Sequence, residues 1–244
     1  MATITVLAGV NGAGKSSVAG AFLRAAGADY FNPDEAAAAY RAADPDLSLR
    51  DANSRAWIDG KVLLEAAIQA LHSETSHRLP GHRSDADQPT NQPLTRAGSG
   101  PDHVFETTLG GNTITALLEQ AAENGHAVRV VFVGLASVEK HIERVRARVA
   151  RGGHDIPEET IRQRYRSSRL HLIKLLPLLS ELVVFDNSDD ADPASGDAPN
   201  PKRLLYWKNG AIVDIERALD LERSWAKPIL ASALELAASS ATKQ

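Results

Sequence analysis

The sequence predicts an α/β domain in three layers, with a five-stranded, mainly parallel sheet between helices. Short runs of β-branched and other apolar residues alternate along the chain with longer segments whose apolar residues recur at helical spacing. The first such run ends at Ala8 and leads through a glycine-rich turn into a predicted helix, which is how a βαβ unit begins. With 244 residues, 43% of them hydrophobic, the chain is long enough to bury a sizeable core.

The first half of the chain contains three of the predicted strands. The first stops at Gly9, and the helix after the turn opens at Lys15. A brief second strand covers 29–32, and Pro33 starts a helix with acidic residues in its first turn, where the helix dipole favours them. A long helix is predicted over about 51–72, and the third strand begins at His103.

The second half alternates helices and strands more regularly. Helices are predicted over 113–124 and 137–151, with the strongly apolar fourth strand, 127–133, between them. Another helix runs from Pro157 to about residue 176, and the fifth strand covers 181–186. A C-terminal hairpin over 203–215, about an Asn-Gly turn, is predicted in addition to the five-stranded sheet, and a last helix follows it.

Two segments have a composition that argues against regular structure. Residues 73–102 hold four prolines and show no apolar periodicity, so we expect a disordered or mobile insertion there. Residues 188–201 are rich in Pro, Gly and Asp and are predicted to form a flexible loop. The Ala- and Ser-rich residues 237–244 are expected to fray. The whole chain, 1–244, is predicted to form a single domain.

Composition and charge exclude several classes of protein. A formal net charge of −4 argues against a chain whose bulk charge drives it onto nucleic acid or an acidic membrane, so we expect neither partner. The absence of cysteine excludes disulfides, thiolate metal sites and a Cys nucleophile. No stretch approaches the roughly 18 apolar residues of a membrane span, and the N-terminus lacks the basic region of a signal peptide. We therefore expect a cytoplasmic protein.

The segment from Gly9 to Ser16 matches the phosphate-binding pattern G-x-x-x-x-G-K-[ST] in full. Its glycines let successive backbone N–H groups turn toward phosphate oxygens, and the following helix contributes its positive N-terminal end. Lys15 supplies a point charge for the β- and γ-phosphates, and Ser16 is the expected ligand of Mg²⁺. The sequence therefore predicts a site for ATP. The expected nucleotide-binding residues are Gly9, Asn11, Gly12, Ala13, Gly14, Lys15, Ser16 and Ser17.

Residues outside this loop decide what happens to the γ-phosphate. The chain contains no N-K-x-D base reader of a GTPase, and it leaves little room for the assembly interface of an ABC or AAA machine. Small-molecule kinases of this fold place an acid after the second strand, where Asp34 and Glu35 lie, so Asp34 is the candidate base for an acceptor hydroxyl. Glu106, Thr107 and Thr108 end the third strand at the same edge and are candidates for binding the acceptor. The alternative for the acids is that they only cap helices.

A basic region lies in the second half of the chain, where residues 140–174 hold ten Lys and Arg but four Asp and Glu. Its arginines fall on two predicted helices: Arg144, Arg148 and Arg151 on the first, and Arg162, Arg164, Arg166 and Arg169 on the second. Gly152 and Gly153 between these helices are typical of the joint of a closing lid. A solvated basic surface is the alternative for any single arginine, but as a group they are predicted to form an arginine-rich lid that neutralises phosphates.

Five elements of the sequence together resemble the zeta toxin-like P-loop kinases. They occur in order between residues 2 and about 188, as the segments 9–17, 32–35, 106–110, 151–167 and 186–188. The resemblance implies a nucleotide-kinase-like fold with ATP and Mg²⁺ as cosubstrates. It also implies an acceptor, a UDP-N-acetylamino sugar, usually UDP-N-acetylglucosamine, that is phosphorylated on the sugar 3′-hydroxyl, and an antitoxin that blocks the ATP site.

The resemblance implies roles for individual residues as well. The phosphate-binding arginines fall among Arg148, Arg151 and Arg164, with the choice between Arg148 and Arg151 left open. The predicted catalytic residues are Lys15, Asp34, Arg148, Arg151 and Arg164, with Asp34 as the base. The predicted acceptor-binding residues are Asn32, Asp34, Glu35, Glu106, Thr107 and Thr108.

The sequence leaves other functions open. A kinase of this kind can act on another acceptor, such as a nucleic-acid 5′-hydroxyl, an antibiotic or a dinucleotide, and basic lid helices suit a polyanion. An alternative from a different class is a regulatory or interaction module that binds ATP and hydrolyses it slowly.

Overall fold

The computed structural model describes residues 3–20, 29–76, 103–189, 200–217 and 219–241. Its strands are β1 (Thr3–Ala8), β2 (Asp29–Phe31), β3 (His103–Thr107), β4 (Ala127–Gly134), β5 (Glu181–Asp186), β6 (Lys202–Lys208) and β7 (Ala211–Ile215). Within the described residues these seven strands form one sheet in the order β2-β3-β1-β4-β5-β6-β7. The first five are parallel, whereas β6 and β7 are antiparallel to their neighbours.

The helices lie between the strands in sequence. They are α1 (Pro33–Ala43), α2 (Leu49–Ser76), α3 (Asn112–Glu123), α4 (Val138–Ala150), α5 (Glu158–Leu175) and α6 (Lys227–Ala241). A π-helical turn covers Ser16–Gly20, and 3₁₀ turns cover Leu176–Leu178 and Glu222–Ala226. Across the described ranges, no helix has both the length and the apolar character needed to cross a lipid bilayer.

The predicted fold class is confirmed, and the five parallel strands are those that the sequence predicted. The strand count is corrected from five to seven, because the predicted 203–215 hairpin extends the same sheet. Strand β6 pairs with β5 from Glu181 opposite Lys208 to Asp186 opposite Lys202. Buried Leu204, Leu205 and Trp207 on β6 place this strand in the core rather than beside it.

Three predicted boundaries are also corrected. Helix α2 continues to Ser76, so residues 73–76 of the predicted insertion are helical, and its remaining residues, 77–102, lie outside the described residues. Ser188, predicted to begin a flexible loop, is buried and hydrogen-bonded, and 190–199 are not described. Helix α6 continues to Ala241 instead of fraying from residue 237, because Leu236 and Ala237 pack against the core. Residues 242–244 lie outside the described residues.

Alternate residues of the central strands face two different apolar clusters. Ile4 and Val6 of β1 join the main cluster, to which α2, α3, α5 and α6 also contribute, whereas Leu7 joins a second cluster. Strand β4 alternates between the same two clusters. Because both faces of these strands are buried, their sequences are mostly apolar, with Thr3 and Thr5 of β1 and Arg129 of β4 as the polar exceptions.

Candidate active site

The carboxyl end of β1 continues into the predicted phosphate loop. Gly9, Gly12 and Gly14 have φ values of 143°, 80° and 82°, which glycine adopts far more readily than other residues. A Cβ on Gly9 would lie 2.2 Å from the carbonyl oxygen of Val133, so close packing also requires glycine there. Lys15 Nζ donates a hydrogen bond to the Gly9 carbonyl at 2.9 Å and closes the loop on itself. The loop therefore has the curled form that phosphate-binding loops share.

Glu106, at the carboxyl end of β3, is the centre of a polar network beside this loop. Its Oε1 lies 3.4 Å from Lys15 Nζ, and both side chains are buried. Its Oε2 accepts a hydrogen bond from Ser16 Oγ at 3.2 Å and another from the Tyr30 hydroxyl. The parallel pairing of β1 with β3, with Leu7 opposite Glu106, brings these groups together. Hydroxyl and carboxylate oxygens are ligands that Mg²⁺ prefers, so Ser16 and Glu106 fit such an ion.

Asp34 lies in the first turn of α1. Asn32 caps this helix, since its Oδ1 accepts from the backbone N–H groups of Asp34 at 2.9 Å and Glu35 at 3.5 Å. Asn32 Nδ2 in turn donates to Glu35 Oε1 at 3.2 Å. The Asp34 carboxylate stays 46% exposed and faces the loop between α4 and α5, with Arg148 Nη1 at 3.3 Å and His154 Nε2 at 3.7 Å. The capping role therefore belongs to Asn32, and Asp34 faces Arg148 and the His154 ring.

The three predicted phosphate-binding arginines, Arg148, Arg151 and Arg164, contact different parts of the structure. Arg148 contacts Asp34, and Arg164 Nη1 donates to Asn11 Oδ1 of the phosphate loop at 2.8 Å. Arg151, the C-cap of α4, is exposed, and its Nε donates to the Ala147 carbonyl of that helix at 3.1 Å. Burial lowers the pKa of Arg164, while the nearby Asp34 charge acts in the opposite direction. Arg148 and Arg164 therefore join the site, and Arg151 lies outside it.

Other arginines of the basic region pair with groups away from the phosphate loop. Arg146 pairs with Glu158, and Arg162 lies 3.0 Å from Glu139. Arg169 lies over the Tyr165 ring at 4.1 Å. Much of the positive charge that the sequence gathers in 140–174 thus pairs or stacks locally.

Thr107 ends β3, and Thr108 begins the turn after it. The Thr107 hydroxyl oxygen accepts from the Leu109 N–H at 3.0 Å, and that of Thr108 accepts from the Gly110 N–H at 3.4 Å. Leu109 has a φ of 53°, unusual for a residue other than glycine, and these two bonds support its conformation. Each hydroxyl can still donate its own hydrogen.

Two residues to which the sequence analysis gave no role, His141 and Asn187 of the 186–188 element, hold the phosphate loop in place. His141 on α4 is buried, and its Nδ1 lies 2.9 Å from the Asn11 carbonyl oxygen. Burial lowers the pKa of His141 to about 4, so the ring is neutral at pH 7 and Nδ1 donates to the carbonyl. Asn187 Nδ2, just beyond β5, donates to the Ala13 carbonyl at 2.9 Å. The sequence signal for both is a polar residue within or directly after an apolar segment at the carboxyl edge of the sheet.

The chain is similar to a solved complex over most of its length. The AvrRxo1-ORF1:-ORF2 complex, solved with ATP, matches with a TM-score of 0.56 and 17% identity, covering 88% of this chain and 61% of that chain. At this level of identity the similarity shows a shared fold. This chain spans less than two thirds of the AvrRxo1-ORF1:-ORF2 chain that it matches.

Two further proteins resemble the chain, one over a shorter segment and one with a lower TM-score. An uncharacterized protein of Haemophilus influenzae is 42% identical over 61 residues, which are 25% of this chain and 44% of that protein. The PezAT toxin–antitoxin system of Streptococcus pneumoniae has a TM-score of 0.48 and 11% identity, covering 96% of this chain and 86% of that chain. No protein-family model matches the chain.

Proposed function

We propose that this chain is an ATP-dependent kinase that transfers a phosphoryl group to a hydroxyl of a small molecule. The proposal rests on the convergence of three groups at one sheet edge: the phosphate loop, the partly exposed Asp34 carboxylate, and Arg148 and Arg164 between them. Phosphoryl transfer requires this combination, because it depends on positioning a hydroxyl beside a charge-neutralised phosphate. The solved AvrRxo1-ORF1 complex contains ATP, which supports ATP as the nucleotide here.

In the proposed reaction, Asp34 accepts the proton of the acceptor hydroxyl while that oxygen bonds to the γ-phosphorus. The bond from the γ-phosphorus to the bridging oxygen breaks, and ADP leaves. Lys15, Arg148 and Arg164 neutralise the charge on the phosphate oxygens. Mg²⁺, with Ser16 as ligand and Glu106 beside it, would add further positive charge there.

The metal would need oxygens from outside the chain. Among the described residues there is no group of three or more His, Asp or Glu arranged to hold a metal ion. Mg²⁺ in kinase sites is usually bound by one or two protein groups together with substrate phosphates and water. A pair such as Ser16 and Glu106 meets that requirement.

For the acceptor we propose a UDP-N-acetylamino sugar, phosphorylated on its sugar 3′-hydroxyl. The support is the sequence resemblance, together with the position of Thr107 and Thr108 at the end of β3, next to Glu106 at the same sheet edge. Threonine hydroxyls and a carboxylate are suited to hydrogen-bonding the hydroxyls of a sugar.

The decisive experiment is incubation with ATP, Mg²⁺ and a panel of UDP-sugars, nucleotides and dinucleotides, followed by mass spectrometry for the gain of a phosphate. We expect transfer to a UDP-sugar by the wild-type chain and a rate loss of about 10²- to 10⁴-fold in Asp34→Asn, with ATP binding retained. Asp214→Asn is the matched control, because it removes an exposed aspartate paired with Arg203 at 2.8 Å on the hairpin. Equal rates in wild type and Asp34→Asn would refute the role of Asp34.

We also propose that a protein partner controls the kinase, as an antitoxin controls a toxin. The AvrRxo1-ORF1 structure is a complex with AvrRxo1-ORF2, which supports such an arrangement. Induced expression of the wild-type chain is then expected to slow growth of a bacterial host. Lys15→Ala should relieve this effect, and so should co-expression of the partner. Equal growth with wild type and Lys15→Ala would argue against a toxin.

A further inference from the structure

Asn11 stands at the point where the phosphate loop meets the helix that carries Arg164. It is buried, with 6% of its surface exposed. Its backbone carbonyl accepts from His141, and its side-chain Oδ1 accepts from Arg164 Nη1 at 2.8 Å. The side-chain oxygen is therefore directed to the arginine.

The stem of Arg164 is held from a second direction by the loop after β3. A Cβ on Gly110 would lie 2.7 Å from Arg164 Cγ, so the aliphatic part of the arginine rests directly on the Gly110 backbone. One turn further along α5, Ser167 Oγ donates to the Gly110 carbonyl at 2.8 Å. Gly110 thus fixes the stem of Arg164, and Asn11 fixes its guanidinium group.

His141 fixes Asn11 in turn. A Cβ on Gly12 would lie 2.8 Å from the His141 backbone carbonyl, so α4 packs against the phosphate loop at the neighbouring residue. The hydrogen bond from the neutral His141 ring then holds the Asn11 backbone. The result is a connected chain of contacts from α4 through the phosphate loop to α5.

Arg164 differs in this respect from Arg148. The Arg148 side chain is 35% exposed and contacts Asp34 and the α4–α5 loop, and within the described part of the chain it makes no hydrogen bond to the phosphate loop. Arg164 is bonded to the loop itself and carries a positive charge at all physiological pH values. A guanidinium group has five N–H donors, so one bond to Asn11 leaves others for an anion.

We propose that Asn11 is a positioning residue, whose carboxamide holds the Arg164 guanidinium over the phosphate loop for contact with the ATP phosphates. This inference rests on the proposed function, because it takes the ligand of the loop to be ATP. It assigns to the Asn11 side chain a role toward the arginine in place of a direct contact with the nucleotide. A positioning residue acts only through its partner, so its removal has no effect once the partner is gone.

The test is a double-mutant cycle on the affinity for ATP·Mg²⁺, measured by calorimetry on the full chain. We expect Arg164→Ala to weaken binding at least about tenfold and Asn11→Ala roughly three- to tenfold, as for bonds to charged groups. The double variant should bind no more weakly than Arg164→Ala alone. Asn11 has no positive φ, so alanine imposes no backbone strain there. If the loss of ATP affinity in the double variant equals the product of the two single losses, the positioning role is overturned.

Two further variants keep the test decisive. Gly110→Ala displaces Arg164 from a different direction. It should weaken ATP binding in the wild-type background but have no effect in the Arg164→Ala background. This comparison tests the placement of Arg164 if Asn11→Ala fails to fold. Arg166→Ala, an exposed arginine on the same helix, is the matched control and should combine multiplicatively with Asn11→Ala. A wild-type chain that does not bind ATP would overturn the proposed function and this inference together. If the wild-type chain binds ATP and the losses of affinity from the two substitutions multiply, only this inference is overturned.

Discussion

Arg148 and Asp34 form an ion pair across 114 residues of sequence, with Nη1 3.3 Å from Oδ2. The α4–α5 loop holds the arginine in this position. The Gly153 N–H donates to the Arg148 carbonyl at 3.0 Å, and a Cβ on Gly153 would lie 2.7 Å from Arg148 Cγ. Arg148 Nη2 also donates to the His154 carbonyl at 3.2 Å. The arginine that touches the candidate base is thus positioned by Gly153 and the His154 carbonyl, which follow its helix.

This ion pair favours Arg148 over Arg151, the two arginines between which the sequence left the choice open. Arg148→Ala is expected to lower kcat/KM by about a hundredfold, as for loss of one donor to transition-state charge. Arg151→Ala removes an equal charge from the C-cap of the same helix. Among the described residues, the Arg151 side chain bonds to Ala147 of that helix and to no group of the site, so we expect a change of less than about threefold. Steady-state kinetics with the acceptor found by mass spectrometry measures both. Similar losses in the two variants would contradict this assignment.

Local patterns predicted the fold well, because each parallel strand is an apolar run bounded by polar or glycine residues. The hairpin was recognised by its Asn-Gly turn, and Asn209 and Gly210 have φ values of 48° and 81°. Its membership of the sheet was not predicted, because pairing with β5 depends on long-range contacts between Leu182 and Trp207 and their neighbours. A turn motif contains no information about which edge its strands will join.

The sequence predicted those parts of the candidate site whose residues lie close together in the chain. The phosphate loop is a continuous motif, and Lys15 and Ser16 lie where it places them. The network of Glu106 was not predictable, because Tyr30 comes to it from β2 and Ser16 from the phosphate loop. The choice of Arg148 over Arg151 depends on the geometry of Gly153, which helical spacing alone does not show.

Glu106 contacts the predicted metal ligand Ser16, and the consequence can be tested with Glu106→Gln. If the carboxylate helps to hold Mg²⁺, the Mg²⁺ concentration for half-maximal activity should rise about tenfold, since one charged ligand is lost. The affinity for ATP without Mg²⁺ should not fall, because the variant removes a negative charge beside Lys15. Glu119→Gln, which removes an acid paired with Lys174 between α3 and α5, is the control. A higher KM for the acceptor with unchanged Mg²⁺ dependence would instead support acceptor binding by Glu106.

Burial of His141 predicts a loss of stability in mild acid. Its pKa falls from the usual 6.5 to about 4, so the unfolded chain binds a proton more readily than the folded chain between these pH values. The stabilisation is fully present above pH 6.5 and is lost as the pH falls toward 4, by up to about 3 kcal/mol at 1.36 kcal/mol for each pH unit. Urea unfolding of wild type and His141→Asn at pH 7 and pH 4.5 measures this contribution. Between pH 7 and pH 4.5 the variant should lose less stability than wild type. Equal losses of unfolding free energy in the two proteins would contradict a neutral buried ring.

Gly134, the last residue of β4, lies directly against the indole ring of Trp225, and this contact predicts the effect of adding a methyl group. A Cβ on Gly134 would lie 2.2 Å from Cη2 of Trp225. The ring has little room to move, because its Nε1 donates to buried Asp186 at 2.6 Å. Gly134→Ala should therefore lower the free energy of unfolding by about 1–3 kcal/mol, as overpacking does in cores.

The control for this substitution is Gly111→Ala, since a Cβ on Gly111 meets no atom within 4 Å. Gly111 is the N-cap of α3, where alanine costs less than about 1 kcal/mol. Urea unfolding followed by circular dichroism gives both values. Asn187 donates its backbone N–H to the Gly134 carbonyl at 3.0 Å and its side chain to the phosphate loop, so Gly134→Ala should also weaken ATP binding. An unchanged ATP affinity in a destabilised Gly134→Ala variant would show that the contact with Trp225 supports the fold without affecting the phosphate loop.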